Sequence, residues 1–386
     1  MRFITADTIY SISQNPINNG VIVLDEVGQI LDVLHSDEGL EKTNIEKHKG
    51  IISPGFVNAH CHLELSHLKG LIPEKTGIVD FAGHVIGKRN AISDELKQEA
   101  IRLADEEIQR NGIVAVGDIS NDDSTVEVKS KSRIQYHTFI ELIGFNPLNA
   151  QKIYETGIEL RKKYWDKNLI ATLAPHASYS VSLELMNLIA KENDGKSTTI
   201  HNQESKTENE FFEKGTGDFI KLYESLGLKI DYFKPTTKSS LQSYLQNLVS
   251  NKNLALVHNT FSSEEDIRFA EKLSANLFWC LCPNANLYIE QSLPNAPLLI
   301  QNNCKIVIGT DGLASNHQLS ITDELNKLLN QFPTISINQS LTWATLKGAE
   351  FLGIQNQFGS IEKGKKPGLV LLENEGKLLS VSKILQ

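Results

Sequence analysis

IISPGFVNAHCHLELSH, residues 51–67, carries the pattern from which the architecture of this chain follows. A run of apolar and small residues leads into His60-Cys61-His62 and then loses its strand character. Side chains of a strand alternate between faces, so His60 and His62 share one side and Cys61 takes the other. Two imidazoles side by side at a strand end make half of a metal site, because neutral imidazole is a common ligand for zinc and iron.

Outward from that stretch, short apolar, β-branched runs recur at 113–118, 134–140, 169–174, 198–201, 254–258, 277–282 and 305–310, which makes eight in all. Helical patterns fall between several of them. Residues 94–112 stop at Gly112, 182–194 open on Ser182 as an N-cap, and 262–276 open on a serine followed by early carboxylates that suit a helix dipole. Eight strands alternating with helices predict an α/β protein built as a (β/α)8 TIM barrel. The competing open, doubly wound sheet lacks its GxGxxG fingerprint. Both chain ends are β-rich, with Asn/Gly and Gly-Lys turns, and are expected to pair as a small β-sandwich. The expected domains are therefore 1–52 plus 359–386 for the sandwich and 53–358 for the barrel. Segment 205–250 exceeds a minimal connection and is expected to lay a loop and short helices over the barrel mouth, with 68–90 as a lid.

The bulk numbers exclude several classes of function. A net charge of −9 over 386 residues, with a mean hydropathy of −0.23, argues against a nucleic-acid or anionic-membrane surface, which needs basic clusters. No stretch approaches the roughly 18 apolar residues of a membrane helix, and the first residues show no apolar signal core. The cysteines at 61, 280, 282 and 304 form neither a CxxC pair nor a disulfide framework. A cytoplasmic protein with a small-molecule partner, no nucleic acid and no membrane is the expectation.

Five of the eleven histidines sit at the C-terminal ends of the apolar runs: His60, His62, His176, His201 and His258. Asp311 ends the eighth run, and Glu204 follows His201 by three residues. In a barrel such ends converge on the axis. A lone histidine after an apolar run is commonly a hydrogen-bonded core group, and a lone Asp before Gly is commonly a turn residue. Their coincidence around one ring is what marks His60, His62, His201 and Asp311 as functional.

These residues lie in PGFVNAHCHLE (54–64), APHASYS (174–180), HNQES (201–205), LVHNT (256–260), CPNANLYI (282–289), GTDGLASNHQLSI (309–321) and GSIEKGKKPGLV (359–370). In that order they resemble the amidohydrolase superfamily, in its cytosine-deaminase and chlorohydrolase-like branch, along nearly the whole chain. The resemblance implies that His60, His62, His201 and Asp311 hold one divalent metal ion, zinc or iron. It also implies that Glu204 shuttles the proton, His258 orients the attacking water and His176 contacts substrate. The bridging Lys of binuclear relatives is missing from the fourth run, so a mononuclear centre is expected. Two departures stand out: Pro367-Gly368 replaces the usual Ala-Asp, and Ala285 replaces a Ser in the stretch after the seventh run.

The chemistry needs such residues. Displacing ammonia from an aromatic amidine carbon requires a strong nucleophile at neutral pH, which a metal supplies by lowering the pKa of its water to about 7. Three imidazoles and a carboxylate leave a coordination position open, and a carboxylic acid nearby can move the proton to the ring nitrogen. Glu64, two residues beyond His62, is expected to face the same cavity and bind substrate, with a helix-start carboxylate as the alternative. His67 and His84 are expected to pack within the lid, Asp118 to orient a neighbour, the cysteines to be structural and Trp343 to line a late helix. The expected function is deamination of a heterocycle, in all likeness a 6-aminopurine nucleoside, by metal-activated water. The same site could serve another leaving group on a chlorotriazine, imidazolone or cyclic amide, and an idle binding barrel is the non-enzymatic alternative. A homodimer is implied only by the resemblance.

Overall fold

The computed structural model describes residues 1–40, 43–249, 252–273 and 276–385. Among these the chain opens with short strands β1 (Arg2–Thr5), β2 (Thr8–Ile9), β3 (Ile17–Asn18), β4 (Val21–Leu24), β5 (Ile30–Leu34), β6 (Ile45–Lys47) and β7 (Ile51–Pro54). Eight parallel strands follow: β8 (Phe56–Cys61), β9 (Ile113–Ser120), β10 (Gln135–Leu142), β11 (Ile170–Pro175), β12 (Ser197–Asn202), β13 (Asn253–His258), β14 (Leu277–Leu281) and β15 (Ile306–Ile308). Strands β16 (Leu369–Glu375) and β17 (Leu378–Ile384) complete the set.

The two chain ends meet. β7 pairs antiparallel with β16 from Ile51 opposite Leu372 to Pro54 opposite Leu369, within a sheet ordered β17-β16-β7-β2-β3. A second sheet, β5-β4-β1-β6, shares a core with it through Ile4, Ile22, Ile52, Leu371 and Leu385. The terminal sheet reaches Pro54, two residues beyond the expected boundary, because the Gly55 that follows lies against Val114 and Pro367 with no room for a side chain.

The eight parallel strands form two sheets, β8-β9-β10-β11 and β12-β13-β14-β15, rather than one continuous ladder. The seam between β11 and β12 is made by threonines. Thr172 Oγ1 donates to Ser197 O at 2.9 Å and Thr198 Oγ1 to Leu173 O at 2.8 Å. On the other side β15 ends after three residues, too soon to ladder with β8. There Thr310 and Asp311 donate their backbone N–H groups to His60 O at 3.0 and 3.1 Å, and Asn58 Nδ2 donates to Thr310 Oγ1 at 2.7 Å. Gly309 permits that approach, since a Cβ there would stand 2.7 Å from His60 Cβ and 2.9 Å from His60 O.

Between the sheets, Val57, Ala59, Phe139, Ala174, Val257 and Cys280 build an inner core, while helices cover the outer faces. Local signals start the helices. Ser182 caps Leu183–Glu192 by accepting from Leu185 N, and Ser263 forms a capping box with Asp266 before Glu264–Lys272. That helix ends short of the expected 276, and positions 274 and 275 lie outside the described residues. The 205–250 segment folds into helices Lys206–Lys214, Asp218–Ser225 and Ser240–Tyr244, with 250 outside the described residues. The 68–90 segment carries helix Ile78–Lys88. No helix among the described residues is long and apolar enough to cross a membrane.

One buried ion pair ties this frame to the first histidines. Lys129 and Asp118 are fully buried at 2.5 Å, and Lys129 Nζ also donates to Thr138 Oγ1 at 2.9 Å. The other oxygen of Asp118 accepts from Leu63 N at 2.8 Å, one residue past His62. Lys129→Ala leaves a buried carboxylate unpaired and is predicted to cost about 3–5 kcal/mol, read as a lower urea midpoint. Neutralising both partners, Asp118→Asn with Lys129→Met, is expected to recover most of that loss.

Candidate active site

Plain alternation does not deliver the first two histidines. Val57 and Ala59 point into the inner core, so Cys61 would be the next inward residue. The pairing of β8 with β9 slips there: Asn58 stands opposite Val116 and Cys61 opposite Asp118, three steps against two. This irregularity, of the kind a β-bulge makes, sends Cys61 into the outer core and frees His60 and His62 for the strand end. His258 would likewise follow Leu254 and Leu256 outward, but its φ of +77° turns it back. Gln203, at φ +45°, turns the chain between His201 and Glu204. Its amide is held by Ser262, Asn209 and Asp266.

The resulting cluster is tight. His62 Nε2 and His201 Nε2 stand 3.3 Å apart, and Asp311 Oδ1 lies 3.5 Å from both His60 Nε2 and His62 Nε2. His201 Nδ1 donates to His176 O at 2.8 Å, which fixes its proton there and leaves a lone pair on Nε2. Burial holds His201 and His176 down to about 4, and His62 well below the ordinary histidine range. Burial would raise Asp311, yet the close approach of His60 and the fields of His62 and His258 hold it well below the carboxylate range. Ser315 Oγ donates to its Oδ2 at 2.6 Å. Glu204 behaves oppositely: burial first, and then the charge of Asp311, push it well above the ordinary range, so it keeps its proton.

This donor set fits a divalent cation. Both ring nitrogens of His60, and Nδ1 of His62, are buried without a hydrogen-bond partner among the described residues. The lone pair of His201 Nε2 faces His62 Nε2 at 3.3 Å, where either a His62 N–H or a cation can satisfy it. His60, His62 and Asp311 lie with their ligand atoms within 4.8 Å of one another, as do His60, His201 and His258. Three nitrogens and one oxygen suit zinc or iron(II).

The remaining residues divide. His258 Nε2 is 3.5 Å from Glu204 Oε1, and both line a cavity of about 600 Å³ together with His62, His176, His201 and Asp311. Phe81 and Val85 from the expected lid, Tyr223 from the expected mouth segment, and Phe145 and Tyr179 from outside both line it as well. A larger cavity of about 770 Å³, bordered by His84, Lys206 and Glu290, contains none of the clustered histidines. Glu64 stands behind the wall instead of in the cavity. It is fully buried, accepts from Asn121 N at 2.8 Å and Asp122 N at 3.3 Å, and pairs with Arg89 at 3.5 Å. Both its oxygens are thus spent on fastening the β9 end to the lid. His67 packs between Glu64 O and Arg89 O.

Two residues escaped the sequence. Glu141, the last residue but one of β10, lines the cavity and places Oε1 3.6 Å from His201 Nδ1. A strand read as ending at 140 stops one residue short of it, and a carboxylate closing an apolar run was the available signal. Asn286, which follows Ala285 in the CPNANLYI motif and has no role assigned to it there, bonds His258.

Comparison with known proteins agrees with this geometry. The chain is 30% identical over 342 residues to an adenosine deaminase of Helicobacter pylori, spanning 87% of this chain and 82% of the relative. It is 27% identical over 340 residues to an aminodeoxyfutalosine deaminase of Nitratiruptor sp., spanning 84% and 79%. The solved H. pylori aminofutalosine deaminase in complex with methylthio-coformycin superposes with a TM-score of 0.83 over 100% of this chain and 98% of that one, at 22% identity, a likeness of fold. The model of the amidohydrolase family matches residues 51–384, from the last strand before the first histidines to the final strand, and the chain belongs to that family.

Proposed function

We propose that the protein is a metal-dependent aminohydrolase that deaminates an adenine-type nucleoside bearing a sizeable apolar substituent on its sugar. The observation that carries this reading is Glu204. Its buried carboxyl group sits 3.5 Å from His258 Nε2, beside the clustered histidines and in the same cavity, and burial pushes it well above the ordinary carboxylate range. The names of the relatives support the substrate class. In this reading the eight parallel strands act as a (β/α)8 barrel closed along its two seams, with the terminal sheets as a small separate sandwich.

His60, His62, His201 and Asp311 would hold one divalent ion, which when bound lowers the pKa of water and makes it a nucleophile at neutral pH. The chain's own groups do the rest. Glu204 gives its proton to the ring nitrogen beside the amino-bearing carbon, and the carboxylate so formed takes the proton released as water adds to that carbon. His258 donates from Nε2 to the oxygen as charge develops there. A second proton transfer through Glu204 lets the amino group leave as ammonia, so water and amine are exchanged for carbonyl and ammonia. His176, at the cavity wall, contacts the base. The aromatic outer wall receives the sugar substituent, and a volume of about 600 Å³ falls within the usual range for small-molecule sites.

Glu204→Gln is expected to keep one metal per chain while losing about 10²–10⁴-fold in kcat, measured as ammonia release alongside metal analysis. Near-native turnover would remove Glu204 from the mechanism. A substrate panel of adenosine, its 5′-alkylthio and 5′-aryl analogues, guanine, cytosine and a chlorotriazine tests the substrate class. An apolar 5′ group should raise kcat/KM at least about tenfold over adenosine, since each buried methylene contributes about 0.8 kcal/mol. Chloride release, or preference for a free base, would overturn the nucleoside reading. Glu141→Gln is expected to weaken metal binding about 10–100-fold in a chelator competition, because Glu141 backs the ligand His201.

A further inference from the structure

Asn286 lies in helix Pro283–Glu290 and is fully buried. Its Nδ2 stands 3.1 Å from Nδ1 of His258. An amide nitrogen can only donate, so Nδ1 of His258 is the acceptor and the ring proton resides on Nε2. Nε2 is the nitrogen that faces Glu204 Oε1 at 3.5 Å. The opposite amide orientation is the poorer one. Asn286 Oδ1 is buried without a partner among the described residues, and exchanging the two atoms would set an NH2 group where the oxygen finds no bond among them. Buried orphan donors are rarer than under-satisfied carbonyl oxygens.

We infer that Asn286 is a positioning residue that holds His258 as its Nε2–H tautomer. Two consequences follow for the site. His258 becomes a fixed hydrogen-bond donor toward the reacting oxygen and Glu204. It also has no lone pair to offer a cation, although its ring falls with His60 and His201 in one of the groupings close enough to hold one. The tautomer thereby selects His60, His62, His201 and Asp311 as the ligand set and keeps His258 for the reaction. Main-chain geometry reinforces the arrangement. His258 and Asn259 both have left-handed backbones, at φ +77° and +58°, and the Asn259 side chain donates to Leu256 O at 2.7 Å and Cys280 O at 3.1 Å. The ring therefore has little freedom to change partners.

The role in the reaction rests on the function proposed above, but the tautomer can be read without substrate. The experiment is nitrogen NMR of the zinc-loaded full-length protein with ¹⁵N-labelled histidine, His258 being assigned by its absence in His258→Gln. The wild-type spectrum is expected to show a protonated Nε2 and an unprotonated Nδ1. In Asn286→Asp, whose carboxylate only accepts, the proton should move to Nδ1 and kcat should fall about 10²–10³-fold with KM nearly unchanged. Should that buried charge prevent folding, Asn286→Ala should show a mixture of both tautomers, a smaller fall in kcat and an unchanged zinc content of one per chain. A wild-type ring protonated on Nδ1, or a tautomer unmoved by both Asn286 variants, overturns the inference. Silence across the substrate panel would instead refute the proposed function and leave the spectrum to be judged separately.

Discussion

Two imidazole nitrogens that face each other at 3.3 Å, Nε2 of His62 and Nε2 of His201, are the constraint around which this molecule is arranged. The hydrogen bond from His201 Nδ1 to His176 O leaves a lone pair on His201 Nε2, which either the His62 N–H or a cation can satisfy. Burial disfavours the charged rings, and Asp311, held well below the carboxylate range, supplies negative charge that matches a cation. The same low-dielectric surroundings that keep the rings neutral keep Glu204 protonated. One desolvated cluster therefore yields both ligands and a proton carrier, because burial acts in opposite senses on bases and on acids.

Bringing these groups together requires backbone that regular strands do not provide. Gln203, His258, Asn259 and Asp311 all have left-handed φ, and β8 slips register just before its histidines. Such conformations cost on the order of 1–3 kcal/mol each for residues other than glycine. They persist because the surrounding side chains over-determine them. Gln203 is held by Ser262, Asn209 and Asp266, Asn259 by bonds to Asn202 and two carbonyls, and Asp311 by Ser315. Glycine enters only where two backbones nearly touch, as Gly309 and Gly312 do against His60 and His62. At the site these residues sit at the strand ends, although Ile12 and Thr237 take left-handed φ elsewhere and β8 also shifts register between Phe56 and Val57.

Glu64 illustrates how a polar group next to the chemistry can serve the frame instead. Its oxygens take two backbone N–H groups of the β9 end and the Arg89 guanidinium that closes helix Ile78–Lys88. The carboxylate thereby joins the first histidine strand to the segment that walls the cavity.

The sequence alone determined the repeating order of strands and helices, the pairing of the two chain ends and the membership of His60, His62, His201, Glu204, His258 and Asp311 in one cluster. Periodicity and capping are local properties, and strand ends in an alternating α/β chain converge whatever the details. It could not tell that eight strands would lie in two sheets joined by threonine and asparagine side chains, since ladder continuity depends on distances between residues far apart in the chain. Nor could it separate Glu64 from Glu141. Both are carboxylates at the end of apolar runs, but one is consumed by donors from a distant loop and the other is left beside His201. Alternation placed His60 and His62 on one side and Cys61 on the other, as found, but only the slip between Asn58 and Cys61 turns that side toward the site. Tertiary structure decided these points, because each depends on which partner reaches a buried polar atom first.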